Sequence, residues 1–510
     1  MKEDKQVFLK KGMEISWLIT VFFSFWYQSI LSFSIPLIGT VSPFRIFLPV
    51  TLVLYVIWGI REKDFSWKES SALEKWCYLL IALLLIYGAV SLPRAMEFGH
   101  TFRRVFNLTL DLCFFFLMLR LCRDKKLLHK TLCVIAIVLV VHVSIGFYES
   151  FHGGVFSDVH INHRGGYIFK DYTLTAVVSY GNPNDYASSM LMCTSVLLLG
   201  ICRKKEYLDD KRFYAAAIWL PILYAAIRLA QGRLVALAFY VLLMGFVGFI
   251  LYTDRKRIKP LMLSLVLMLG VYFVNEYRVI EPNVQKIWVE MQTAWLEATT
   301  PETPPTDVEP TTPETPPTDV EVPPADVETP PTTPVTPPTL SEETLKELEV
   351  IQVEKEGLKS SDFSRMRLLK HALSCFVDSY GLGVGLGNTE MKMKADNPDS
   401  IYAIHCFIAR IVADCGVFML IPLCAIVFLL LKRIWKMFYT GLRGGDKYAV
   451  GFSWLFLCTL LTYPFTSTAS SDSQDLLGMW IYLAAMVLFA CESWTVEYVL
   501  QPTEEMTSAQ

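Results

Sequence analysis

The 510 residues are short of charge. Asp, Glu, Lys and Arg make up 19% of the chain, against about 25% in an average soluble domain. With 53% hydrophobic residues, a soluble fold of this length would have to show water too much apolar surface. An ordinary soluble enzyme is therefore excluded, and so is global disorder. An excess of either sign is also missing. The formal net charge is −3, so there is no global basic field and no nucleic-acid partner is expected. The 12 cysteines form no disulfide framework and no metal-ligand spacing. Nearly all sit singly in apolar runs, as at Cys113, Cys133, Cys193, Cys424, Cys458 and Cys491, where Cys acts as a small hydrophobe. No small-residue cleavage site follows the first apolar run, which reads as an uncleaved helix rather than a signal peptide.

What is present is aromatic and apolar: 33 Phe, 23 Tyr and 12 Trp, a mean hydropathy of +0.40, and runs of about 20 apolar residues, the length that crosses a hydrocarbon core. The expected fold class is an all-α polytopic membrane protein with about 12 transmembrane helices. They fall near 14–38, 42–60, 74–92, 105–121, 128–148, 184–202, 213–230, 234–252, 258–275, 403–431, 448–466 and 476–492. Lys and Arg orient them. Basic residues recur in alternate connections: Lys2, Lys5, Lys10 and Lys11; Arg61, Lys63 and Lys68; Arg123, Lys125 and Lys126; Arg203, Lys204, Lys205, Lys211 and Arg212; Arg255, Lys256, Arg257 and Lys259; Lys432, Arg433, Lys436 and Arg443. Twelve spans put all of these, and both termini, on the cytoplasmic side of the cell membrane.

The expected organisation is N-terminal helices over 1–148, a central membrane region with an outer loop over 149–275, and a large extracytoplasmic loop over 276–402. C-terminal helices over 403–492 and a cytoplasmic tail over 493–510 complete it. Within the large loop, TTPETPPTDVE stands at 299–309 and again at 311–321, and no Lys or Arg occurs across 299–338. Such Thr/Pro-rich composition cannot bury a core and reads as a disordered, extended spacer. A glycosylated stalk is the functional alternative.

Four segments on the outer side carry candidate chemistry. They are HINHRGGYIF with Arg164, the turn GNPNDYASSMLM, the span start LAQGRLVALAF with Arg233, and SRMRLLKHAL followed by SYGLGVGLGN and IYAIHCFIARIVADCGVF. An Arg at a bundle-facing membrane boundary needs a counter-charge, and no acidic residue lies near Arg233 in sequence. The Gly-x-Gly-x-Gly run has no βαβ context, so it reads as a turn that packs the loop on the bundle rather than a nucleotide site. His405 opens an apolar span. Asp414 lies about two and a half turns on, on roughly the opposite face, and is no obvious partner for it.

Together these segments resemble the O-antigen ligase and O-antigen polymerase superfamily of integral membrane glycosyltransferases, which includes teichuronic-acid polymerases. The Asn-Pro turn is matched by Gly181, Asn182, Pro183, Asn184 and Ala187. Gly232 and Arg233 match a Ser-Arg span start in part. Arg365, Leu368, Lys370, Ala372 and Leu373, then Gly383, Gly385, Gly387 and Asn388, match the large-loop pattern, and His405 and Gly416 match the last. Two positions depart from the pattern: Gly232 precedes the arginine, and Cys406 follows the histidine.

The resemblance implies a GT-C-like helical fold and transfer of glycan from an undecaprenyl-diphosphate-linked oligosaccharide donor in the membrane lipid to a glycan, lipid or protein acceptor. The diphosphate gains charge as it leaves, and planar guanidinium groups stabilise it best. Arg233, Arg365 and Arg164, with Asn184, are the expected donor-binding residues, and His405 the base. The resemblance implies inversion, and since no Asp-x-Asp or His-rich motif appears on the outer side, transfer without metal or cofactor is expected. Polymerase and ligase stay undivided. The rival from another class is a polysaccharide or lipid-linked oligosaccharide flippase.

Overall fold

The computed structural model describes residues 2–26, 33–35, 39–62, 70–152, 176, 178–180, 182–203, 210–230, 232–273, 367–396, 406–470 and 477–491. The Thr/Pro repeat at 299–338, the tail at 493–510, and Arg164, Arg365 and His405 lie outside them. The helices are α1 Lys2–Phe23, α2 Pro43–Glu62, α3 Ala72–Ser91, α4 Phe98–Leu121, α5 Lys125–His152, α6 Pro183–Cys202, α7 Asp210–Leu229 and α8 Arg233–Thr253. Then come α9 Ile258–Phe273, α10 across 367–378, α11 Asn388–Asp396, α12 Phe407–Cys415, α13 Val417–Gly444, α14 Lys447–Ala469 and α15 Leu477–Cys491.

Eight of these, α2, α3, α5, α6, α7, α8, α13 and α14, are long and apolar enough to cross a membrane, and α9 and α15 are shorter apolar helices. The chain is a multi-pass helical membrane protein. A helix falls in each of the twelve expected segments, with two differences of shape. The first helix begins at Lys2 and ends at Phe23 rather than running over 14–38. Beyond it, Phe33–Ile35 (β1) and Gly39–Val41 (β2) pair antiparallel, the sole sheet among the described residues. Gly39 is a poor helix former, and the β-branched Ile35, Thr40 and Val41 suit strands.

The tenth expected span, 403–431, is not one helix. α12 stops at Gly416, whose φ of +73° ends it, and α13 starts at Val417. Backbone from another segment fills the break. Val384 N donates to Ala413 O at 3.0 Å, Gly385 N to Asp414 O at 2.9 Å and Val417 N to Gly381 O at 2.9 Å. A Cβ on Gly416 would run into the carbonyls of Gly381 and Leu382.

The bundle has a centre and a rim. In α6, 89% of the spanning window is buried, against 28% in α2 and in α13. The first is therefore a core helix and the other two offer most of their surface to lipid. α15 packs on α6 and α4, with Trp480 between Phe115 of α4 and Phe407 of α12. The broadest helix contact joins α8 to α14. There Gly245 faces Cys458, Gly248 faces Trp454, and Gly451 faces Phe249 and Thr253. Lipid gives little hydrophobic drive for helix pairing, so close approach over small residues supplies the packing. Interhelical hydrogen bonds add about 0.6 kcal/mol each. Ser16 and Thr20 of α1 meet Thr51 of α2, and Trp17 donates to Thr131 of α5.

Candidate functional site

The polar architecture gathers at the end of the bundle opposite the basic connections, where α3 ends and α4, α6, α8 and α13 begin. One part of it is the Asn-Pro turn. Asn182 caps α6 by accepting from Asn184 N at 2.8 Å. Pro183 stands at the first helical position, where a missing N–H costs nothing. Asp185 sits in the first turn, which favours negative charge, and accepts from Ser470 Oγ at 2.6 Å beyond the end of α14. Ser188 Oγ donates to Thr466 O.

The residues just before the turn are tied as firmly. Val178 N donates to Glu149 Oε2 at 2.7 Å, Ser179 Oγ to Phe25 O at 2.7 Å and Tyr180 OH to Ser189 Oγ at 3.0 Å. Val178 has a φ of +50°, a conformation that a β-branched residue adopts only where surrounding bonds hold it.

Gly232 caps α8 from directly beside this turn. A Cβ there would meet Val235 and the Cβ of Ala187. Arg233, the next residue, is exposed at the helix start. Asn184 is half-buried. The turn and the Arg233 helix start are thus neighbours in space, 46 positions apart in sequence (187 to 233).

The second part is the glycine turn. Gly381, Gly383, Gly385 and Gly387 all have positive φ, from +77° to +103°. This turn threads into the α12–α13 break. Tyr87 OH of α3 donates to Leu382 O at 3.1 Å and Asp414 O at 2.8 Å. Leu386 N donates to Ser91 Oγ. Asn388 Nδ2 donates to Arg94 O and Val384 O, and its Oδ1 accepts from Met96 N. Asp414 accepts from Gly387 N at 3.1 Å and from Thr389 N and Oγ1. Its work is thus to bind the turn.

Directly after the turn lies Glu390, with a carboxylate 1% exposed. Arg410 Nη2 stands 3.0 Å from it, Arg104 Nη2 at 3.2 Å and His100 Nε2 at 3.1 Å. Burial alone would raise the Glu390 pKa, but Arg410, Arg104 and His100 outweigh it and hold the carboxyl well below the usual range. Asp414 goes the other way. Burial pushes its pKa up, against the pull of Arg410, Thr389 and Gly387. The cluster fixes α11 to α4 and α12 around a carboxylate that is 1% exposed.

Of the expected site residues, Arg233 and Asn184 stand at this end of the bundle. Arg164, Arg365 and His405 lie outside the described residues. Their chain neighbours are described. α10, two residues after Arg365, packs Ala372 and Cys375 on Ala413 of α12, and Cys406 caps α12. Sequence reasoning missed Glu390. Among the described residues no three His, Cys, Asp or Glu side chains gather as a metal site.

Over 130 residues the chain is 24% identical to the teichuronic acid biosynthesis protein TuaE of Bacillus subtilis (strain 168), a match that covers 25% of this chain and 26% of that protein. The chain thus matches about a quarter of that relative's length. No protein-family model matches the chain.

Proposed function

We propose that the protein is a membrane glycosyltransferase of the O-antigen ligase or polymerase type, acting on an undecaprenyl-diphosphate-linked donor to build cell-surface polysaccharide. The observation that carries this reading is the contact of Gly232 with Ala187. It brings the Arg233 helix start against the Asn-Pro turn, two segments that the resemblance assigns to one site. Similarity to a teichuronic acid biosynthesis protein supports the same product class.

In this reading both termini are cytoplasmic and the site opens on the outer leaflet. Arg233 is exposed at a helix N-terminus, where free N–H groups and a guanidinium act together on an anion. As the glycosidic bond breaks, charge builds on the diphosphate, and Arg233, Arg365 and Arg164 stabilise it. His405 takes the acceptor hydroxyl's proton. Arg104 and Arg410 are matched to Glu390, so they position the loop rather than bind the donor.

Glycan length in cells tests this, with wild type, Arg233→Ala, Arg365→Ala and His405→Ala at equal protein levels. Long polymer in wild type, with single lipid-linked repeats outside in the variants, is the polymerase result. Full-length polymer retained on its carrier is the ligase result. Repeats stranded on the inner leaflet would overturn the enzyme reading in favour of transport. Variants that match wild type would remove these residues from the site.

A further inference from the structure

The short helix α10 shows three faces. At about 100° per residue, Leu368, Ala372 and Cys375 share one side, and there Ala372 and Cys375 pack on Ala413 of α12. Arg367, Lys370, Ser374 and Asp378, all exposed, make a polar side. Between these two, Leu369, Leu373 and Val377 follow at intervals of 4 residues, within about 80° of one another. They are 46% to 62% exposed. Tyr380, just past the helix, is 94% exposed. Exposed apolar stripes of this kind mark a membrane or protein contact.

The stripe does not end with the helix. Leu382 in the glycine turn is 54% exposed, and so are Phe418 and Ile421 at the start of α13. The two stretches meet directly. Val417 N donates to Gly381 O at 2.9 Å, and the Leu382 carbonyl lies against Gly416. Depth follows from α13 itself. Its apolar run from Val417 to Leu431 stops at Lys432 and has 15 residues. At about 1.5 Å each they cover about 22 Å, less than the roughly 30 Å of a hydrocarbon core. Tilt would shorten that reach further. The hydrocarbon therefore continues past Val417, to the level of Leu382 and the end of α10.

We propose that α10 lies along the membrane surface as an interfacial helix, with Leu369, Leu373 and Val377 seated in the lipid at the end of the bundle opposite the basic connections. Such helices bury their apolar face about 5–10 Å into the boundary of headgroups and acyl chains, with Lys and Arg on the polar face. Arg367 and Lys370 supply those charges, and Tyr380 is the kind of ring that favours this boundary. A partner in solution would meet the polar side, not this one. The lipid thus helps to hold the glycine turn, into which α10 leads, against the α12–α13 break. The proposal needs no substrate and stands apart from the glycan-transfer reading.

Fluorescence quenching in proteoliposomes of phosphatidylcholine and phosphatidylglycerol tests this. The small fluorescent amino acid Anap replaces Leu373 or Val377 in turn. It also replaces Ser374 or Asp378, each next to one of them but about 100° round the helix. Two quenchers are compared: a lipid with a nitroxide high on its acyl chain, and iodide on both sides of the membrane. The same probe at Phe428, 64% exposed on α13, sets the value for full lipid contact. The ratio of lipid to iodide quenching should be at least about threefold higher at Leu373 and Val377 than at Ser374 and Asp378. If the probe at Val377 lowers the yield of folded protein, Leu373 against Ser374 decides alone. Equal ratios on the two sides, or a Leu373 probe fully open to iodide, would put the stripe in water and overturn the proposal. So would a stripe that neither quencher reaches, because protein, from this chain or a second copy, would then cover it.

Discussion

The two ends of the bundle use the same ion-pair chemistry in opposite surroundings. At the basic end, Lys10 and Asp124 stand 3.6 Å apart with side chains 48% and 40% exposed. Lys130 meets Glu14 at 2.9 Å with side chains 54% and 18% exposed, and Arg123 meets Glu74 with 28% and 6% exposed. At the other end, Glu390 and Arg410 meet at 3.0 Å with both side chains 1% exposed. Distance hardly separates these pairs, but solvent does. Exposed pairs are worth little, whereas a buried pair that loses one member leaves a charge with no water to receive it. Arg203 is a buried charge at the basic end, over the ring of Phe489. There a helix C-terminus receives the cation. The basic end therefore carries mostly exposed charge, with Arg123 and Glu74 as a partly buried pair, and the other end centres on a carboxylate that is fully buried.

Glu390→Ala should break the comparison most severely. It strips the carboxylate from Arg410, Arg104 and His100 together, at an expected cost of about 3–5 kcal/mol. Thermal unfolding of the purified protein, followed by tryptophan fluorescence, reads this. A midpoint equal to wild type would mean that the cluster is no lock.

The two ends of α13 give the next largest contrast. Gly416→Ala puts a Cβ at φ +73° into two carbonyls and should cost about 2–3 kcal/mol. Gly444→Ala, with open space around it, should instead gain up to about 1 kcal/mol. Equal midpoints for the two variants would show that the turn does not depend on the break. Ser470→Ala removes the bond to Asp185 and should cost about 1.5–3 kcal/mol, as for a hydrogen bond to a charged group.

Titration separates the two buried carboxylates. Glu390 is held below its ordinary value of 4.5. Its ionised form stabilises the fold above about pH 4.5, and that stabilisation is lost as pH falls towards the depressed folded value. Asp414 is raised above 3.8. Its contribution is full below that pH and lost as pH rises through the folded value. Glu390→Gln should therefore flatten the acid loss of stability, and Asp414→Asn should not. Unfolding midpoints measured from pH 7 down to about pH 3 check both, and an unchanged acid limb in Glu390→Gln would remove Glu390 as its source.

How much of this was legible depends on the range of the forces. Apolar runs of about 20 residues have few readings in water or lipid, so a helix lies in each expected segment. The break at Gly416 was hidden. A single glycine inside an apolar run does not announce a stop, and its cause is the backbone of 381–385, some thirty positions away. Glu390 was hidden for the same reason. NTEMKMKAD reads as a solvated segment, and its partners stand at 100, 104 and 410. The 4-3-4 spacing of His100, Arg104, Asn107 and Asp111 is in the sequence, but nothing near Arg104 in sequence points to its partner Glu390. Arg233 stands out as an arginine at a span start with no acidic neighbour, and the Asn-Pro turn as a polar opening of a span; the resemblance joins them, and the structure adds their adjacency.

The smallest expected effect sharpens the comparison from its other side. Lys10→Ala removes the exposed partner of Asp124. The pKa of Asp124 is lowered nonetheless: burial opposes the shift, the backbone N–H groups of Lys126 and Leu127 come next, and Lys10 follows them. Helix N-terminal amides thus hold that carboxylate more than the lysine does, and they survive the substitution. The expected loss is about 0.2–0.5 kcal/mol, and about 1 M salt should erase the difference from wild type by screening. Glu390→Ala should keep most of its deficit in the same salt, because the Arg410 side chain it leaves is 1% exposed and out of a counterion's reach. Salt is therefore the sharper discriminator. If it rescued both variants, the Glu390 cluster would have to be open to water; if it rescued neither, the Lys10 pair would owe its strength to something other than charge.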